Sequence, residues 1–153
     1  MKIFAHLAIL AVSLPLFLSA CSTSSADSNT LNSVNGELSL PLASVSDGQA
    51  HFFKVKADDG TLVTFFVLKS RDGIVRAAVD ACDVCYKAGK GYHQEGDFMV
   101  CDNCGQRFAS SRINEVKGGC NPAPLSRTER DGKLVIQMKD INANSWYMKY
   151  RRI

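Results

Sequence analysis

The chain has 153 residues, 46% hydrophobic and 22% charged, with a formal charge of +3. That length holds one modest domain and leaves little for a second independent core. The weak charge balance gives no electrostatic footprint for nucleic acid or an acidic substrate, and no grouping of serine, histidine and carboxylate points to a hydrolase.

Taken in chain order, the first signal is an address. Lys2 precedes an apolar run, Ile3-Phe4-Ala5 and then Leu7 through Leu18. The run is too short and too weakly flanked for a membrane-spanning helix and suits an export signal. It ends in Leu18-Ser19-Ala20-Cys21, which resembles the lipobox of bacterial lipoproteins. Residues 1–20 are therefore expected to be a lipoprotein signal peptide, and Cys21 the lipid-modified new N-terminus. Acyl chains contribute about 0.8 kcal/mol per buried methylene, so such a residue anchors stably. The expected location is the bacterial cell envelope, on the extracytoplasmic side, tethered to a membrane without spanning it. Residues 21–36 are polar and small, with too few apolar side chains to offset chain entropy, and read as a flexible tether. A single metal-binding domain is expected over 37–153. At its far end Lys149, Arg151 and Arg152 make a small basic tail, read as a solvated, frayed terminus with contact to anionic lipid or a partner as the alternative.

The domain reads as mainly β. Leu38, Leu40 and Leu42 alternate with polar residues, and Pro41 marks an edge strand or strand end. Phe53, Val55 and Ala57 alternate with Lys54 and Lys56 before an Asp58-Asp59-Gly60 turn. Thr61 to Leu68 is almost wholly apolar and rich in β-branched and aromatic residues, as a strand covered on both faces would be. Asp72-Gly73 signals a hairpin into Ile74 to Val79, which leads directly to Cys82. The result is a small antiparallel meander that delivers a CxxC at a strand end. Asp131-Gly132 separates two more strands, the second carrying Leu134, Ile136 and Met138. Helix is expected to be scarce: a short piece near 110–116 and a turn around 142–147. Met99 and Met138 read as core fillers.

The cysteines carry the chemistry. Cys82-Asp83-Val84-Cys85 and Cys101-Asp102-Asn103-Cys104-Gly105 are two CxxC pairs at a spacing that marks one four-thiolate metal centre. A CxxC turn brings two sulfurs to one ion while its backbone N–H groups bond the thiolates. Gly105 suits the left-handed residue that closes such a knuckle; Tyr86 stands at the matching place in the first. Structural disulfides fit an exported protein, but the cysteines after Cys21 are odd in number, and a bridge inside a CxxC constrains little chain. A thioredoxin-like pair would want a βαβ context, and Asp83 and Asp102 would raise the thiol pKa values. Covalent haem is excluded because neither CxxC is followed by His. Zinc, a single iron and an iron–sulfur cluster all accept four thiolates, and spacing does not choose among them. Cys120, after Gly118-Gly119 and before Asn121-Pro122, is a fifth cysteine that fits an alternative ligand, a free thiol beside the centre or a buried inert residue. His93, between the pairs, is read as a polar hairpin residue with metal binding as the alternative.

These residues carry a family resemblance. Asp80-Ala81-Cys82-Asp83-Val84-Cys85-Tyr86, Gly89-Lys90-Gly91-Tyr92, Met99-Val100-Cys101-Asp102-Asn103-Cys104-Gly105 with Phe108, and Gly118-Gly119-Cys120-Asn121-Pro122 together resemble the FtrD-like membrane iron–sulfur protein family. The resemblance covers roughly residues 40–134. It implies an iron–sulfur centre, with Cys82, Cys85, Cys101 and Cys104 as ligands and Cys120 as an alternative ligand. It also implies association with a membrane iron-uptake system, in which the chain is a non-enzymatic electron relay to a membrane iron-transport or redox partner. The larger members' polytopic membrane portion is absent from this sequence. The alternative is a zinc-stabilised ribbon-like binding module or a metal carrier without redox chemistry.

Overall fold

The computed structural model describes residues 29–151, so the expected signal peptide, Cys21 and the tether up to residue 28 lie outside the described residues. Within them the strands are β1 (Thr30–Leu31), β2 (Glu37–Pro41), β3 (His51–Lys56), β4 (Leu62–Lys69), β5 (Val75–Val79), β6 (Tyr92–Glu95), β7 (Phe98–Cys101), β8 (Arg107–Ala109), β9 (Thr128–Arg130) and β10 (Lys133–Gln137). One α-helix, α1 (Met138–Ala143), and four short 3-10 turns complete the described fold. The mainly β expectation holds.

The strands form three layers. The central sheet has spatial order β1-β3-β4-β5, one outer sheet is β2-β10-β9, and the other is β6-β7-β8. Side chains alternate across a strand, so β4 sends Val63, Phe65 and Val67 into a core shared with Leu38, Leu40, Leu134 and Ile136 of the first outer sheet. Its Phe66 and Leu68 enter a second core with Tyr92, Met99 and Cys101 of the other outer sheet. Every residue from Val63 to Leu68 is buried, which is why the sequence there is apolar except for Thr64. All of β5 is buried for the same reason.

Turn chemistry fixes the connections. Gly73, at φ +82°, closes the β4–β5 hairpin, where its N–H donates to the Ser70 carbonyl at 2.8 Å. Asp131 and Gly132 both have positive φ, as a two-residue hairpin between β9 and β10 requires. β2 is an edge strand with Pro41 at its end, as its sequence indicates.

Four local differences from the sequence reading have clear causes. Thr30–Leu31, within the stretch read as tether, adds a short parallel strand beside β3, with Leu31 packed against the main core. Met138 opens α1 in place of extending β10, and its side chain still reaches the core from the helix. The segment read as helix near 110–116 is one 3-10 turn, Ser110–Arg112, followed by Asn114 at φ +70°. Finally, residues 92–109, between and just beyond the CxxC pairs, form a whole three-stranded antiparallel sheet. Its strands are only three or four residues long, too short for a periodic signal.

Candidate metal centre

Three segments bring five cysteines together. The first leaves β5 at Val79, and the Asp80 N–H still pairs with the Thr64 carbonyl at 3.0 Å, so Cys82 starts from a rigid strand end. The chain then turns: the Cys85 N–H points at Cys82 Sγ at 3.2 Å, and the Tyr86 N–H donates to the Cys82 carbonyl at 3.1 Å. Residues Tyr86–Ala88 complete a 3-10 turn capped by left-handed Gly89.

The second segment is the end of β7. Cys101 is its last residue, and the Gly105 N–H closes the knuckle on the Cys101 carbonyl at 2.8 Å. Gly105 has φ +71°, the left-handed value expected from its place after the CxxC.

The third segment is the arm holding Cys120, and it is tied to β5. The Val79 N–H donates to the Ala123 carbonyl, the Ala123 N–H to Ala81, and the Leu125 N–H to Ala77, at 2.8, 2.9 and 3.1 Å. Upstream, the Asn114 side chain accepts from the Ala77 N–H at 3.1 Å and donates to the Ala77 carbonyl at 2.7 Å. Arg76, only 2% exposed, donates to the Ile113 carbonyl at 2.6 Å and pairs with Asp72 and Glu115. Cys120 therefore sits at the same strand end that presents Cys82.

The thiols form two overlapping trios. The sulfurs of Cys82, Cys85 and Cys101 lie within 4.8 Å of one another, as do those of Cys85, Cys104 and Cys120. Cys85 belongs to both. The first trio is the more buried, with Cys82 and Cys101 in the second core; Cys104, in the other, is exposed. None of the five is in a disulfide.

Hydrogen bonds around the sulfurs tune them. Burial pushes the Cys101 thiol up to about 12, against backbone N–H groups of Cys104 and Asn103 directed at its sulfur. The Gln106 N–H holds the Cys104 thiol below the ordinary range, while burial raises that of Cys120. The Asn103 side-chain amide donates to Cys85 Sγ at 3.4 Å. An all-sulfur donor set with amide hydrogen bonds suits a thiophilic metal or cluster, whose charge displaces the thiol protons.

The supporting residues are as specific as the thiols. Asp80 is 3% exposed, pairs with Arg151 at 2.6 Å and accepts the Tyr92 N–H at 2.8 Å. Burial raises its carboxyl to about 6 despite the arginine. Gly91 lies so close that a Cβ there would fall 2.5 Å from Asp80 Oδ2. Its carbonyl accepts the Asp102 N–H at 2.9 Å, which joins the loop before β6 to the second knuckle. Tyr92 is buried, and its hydroxyl donates to the Cys120 carbonyl at 2.6 Å.

Residues 45–148 match a family model described as membrane iron–sulfur containing protein, FtrD-like. The chain belongs to this FtrD-like family. No curated protein matches it. Among solved structures, a crystal structure of the quaternary ammonium Rieske monooxygenase CntA with an inhibitor is similar at 15% identity and a TM-score of 0.42. That likeness covers 64% of this chain and 30% of the other, so this chain spans under a third of that protein's length. A likeness this weak assigns no chemistry here.

In this FtrD-like chain the structure brings together all five cysteines singled out from the sequence, including Cys120. It does not add His93, which is an exposed β6 residue bonded to Asp102 and to Glu95, the latter at 3.1 Å. Asp83 is likewise engaged elsewhere, accepting the Tyr147 hydroxyl. Sequence reasoning missed Asp80, Asn103, Asn114 and Tyr92 as supports. The one available signal was Gly91, a glycine whose neighbour must come close; the asparagines and tyrosine carry none.

Proposed function

We propose that this chain is a lipid-anchored, extracytoplasmic iron–sulfur protein that relays single electrons for a membrane iron-uptake system. The observation that carries the reading is the pair of thiol trios sharing Cys85, in a chain of an iron–sulfur family. Cys82, Cys85, Cys101 and Cys104 would hold the centre, with Cys120 as the alternative fourth ligand. An iron–sulfur centre supplies one-electron exchange at a potential set by sulfur hydrogen bonds, burial and net charge.

The chain's own residues have defined tasks in that reading. The Cys85, Asn103, Cys104 and Gln106 N–H groups offset negative charge on the sulfurs. Tyr92 and Met99 close the inner side against water. Exposed Cys104 leaves an edge near solvent through which a partner can approach. The lipid on Cys21 would keep that edge near the membrane, where an iron-transport or redox partner resides. No helix among the described residues is long and apolar enough to cross a membrane.

The test is anaerobic purification of the full chain, followed by measurement of iron, acid-labile sulfide and visible absorption with and without reductant. The reading predicts iron and sulfide together, with absorption that bleaches reversibly. Stoichiometric zinc and a colourless, reductant-insensitive protein would contradict it and favour the zinc-stabilised binding module.

A further inference from the structure

Next to the first knuckle lies an aromatic and cationic face that the metal chemistry does not use. Tyr86 follows Cys85, and its ring packs edge-on against Trp146 at 5.0 Å between centroids and against Tyr150 at 5.8 Å. Trp146 stacks on Tyr147 at 3.8 Å. Although packed together, Trp146 is 46% and Tyr150 45% exposed, and Val84 in the CxxC turn is 62% exposed. Apolar rings left this open beside a binding site mark a contact surface.

In the cleft beside the rings the cations Lys54, Lys90, Lys149 and Arg151 outnumber the carboxylates Asp80 and Asp102. Lys87, Lys90 and Lys149 are exposed around the rings. The backbone holds them in register: a Cβ on Gly89 would lie 2.8 Å from the Tyr150 carbonyl, so the 87–90 turn rests directly on the C-terminal segment. The cleft that Lys90 and Lys149 line has a volume of about 820 Å³. Of the neighbouring carboxylates, Asp80 pairs with Arg151 and Asp102 with His93, while Asp83 accepts a hydrogen bond from the Tyr147 hydroxyl.

We infer that this face docks on an anionic phospholipid surface, with Trp146 and Tyr150 at headgroup depth and Lys87, Lys90 and Lys149 against the phosphates. Tryptophan and tyrosine favour the membrane–water interface because one side of each ring system is apolar and the other polar. Each surface lysine adds a comparable increment against anionic lipid. The inference rests on the membrane-tethered reading above for the nearness of a bilayer, but not on the metal content. Docked this way, the first knuckle turns toward the membrane.

Trp146 is the chain's single tryptophan, so its fluorescence reports on this face alone. The full chain is reconstituted in vesicles of phosphatidylcholine, with or without one third phosphatidylglycerol, and the quenching of Trp146 by brominated acyl chains is compared. The inference predicts quenching and a blue shift in the phosphatidylglycerol vesicles and little of either in pure phosphatidylcholine. The double variant Lys87→Gln and Lys149→Gln loses two cations and should lower the ratio of docked to undocked chain about thirtyfold. Unchanged far-ultraviolet circular dichroism and iron content would show that it still folds. Quenching that is equal in both lipids, or absent from both, overturns the inference; absence from both is also the outcome if the face takes an acidic protein instead. Iron and sulfide measured on the same samples separate failure here from failure of the electron-relay reading.

Discussion

The two faces of the central sheet are covered in different ways, and the contrast explains where stability and chemistry reside. On one face, Val63, Phe65, Val67 and Val79 meet Leu38, Leu40, Leu134 and Ile136 in an apolar core closed by α1 and the C-terminal turn. On the other, Phe66, Leu68 and Ala78 meet a small sheet that contributes Cys101, with Cys82 from beyond the end of β5 in the same core and Cys85 and Cys120 packed against it. The first core is held mainly by apolar burial. The second has strands of three or four residues and uses thiols where the first uses branched side chains. A layer that small is marginal without a cross-link, so metal binding and folding of that layer should be coupled.

The largest expected effect separates the two layers. Removing the metal with a strong chelator should abolish hydrogen-exchange protection in β6, β7 and β8, while β4, β5 and β10 stay protected. Uniform loss across both layers would show that they unfold as one unit. Next in size, Leu134→Ala, at a fully buried site in the first core, should cost about 2–5 kcal/mol in denaturant unfolding and leave the bound metal unchanged in the folded fraction. Gly91→Ala should cost about 1–3 kcal/mol, because the residue has φ +80° and its new methyl meets Asp80. That loss should appear as weaker metal retention as well as a lower Tm, since Gly91 joins Asp80 to the second knuckle.

The smallest effect concerns pH. The Ser70 hydroxyl, and after it Arg76, hold the Asp72 carboxyl at about 2, below its ordinary 3.8. A carboxylate depressed in the folded state stabilises it above the ordinary pKa, and the contribution fades as pH falls from about 4 toward 2. Tm measured across that window should fall less steeply in Asp72→Asn than in the native chain. Equal slopes would show that Asp72 does not contribute to the acid dependence of stability.

The large core was legible in the sequence because its strands are long enough for a pattern. The almost wholly apolar run of β4 announced a strand covered on both faces, and Asp72-Gly73 and Asp131-Gly132 marked their hairpins by turn chemistry. The five cysteines were legible as a set because paired CxxC turns have few other uses. What stayed hidden was the layer that aligns them. The segment from Tyr92 to Ala109 is a mixture of polar, aromatic and glycine residues whose register comes from backbone pairing and from Asp80, not from periodicity. The place of Cys120 was hidden for a similar reason, since its arm is fixed by Asn114, Arg76 and main-chain bonds to β5.

In the proposed iron–sulfur site one shared thiol, Cys85, joins both trios, so its loss should cost the centre more than loss of a thiol that belongs to one trio. Iron and acid-labile sulfide per chain are measured in the anaerobic full chain and in Cys85→Ser, Cys104→Ser and Cys120→Ser. Stoichiometric iron and sulfide are expected in the native chain, near-complete loss in Cys85→Ser, and partial retention in each of the other two. Full iron in Cys85→Ser, or zinc in place of iron in the native chain, would rule that arrangement out.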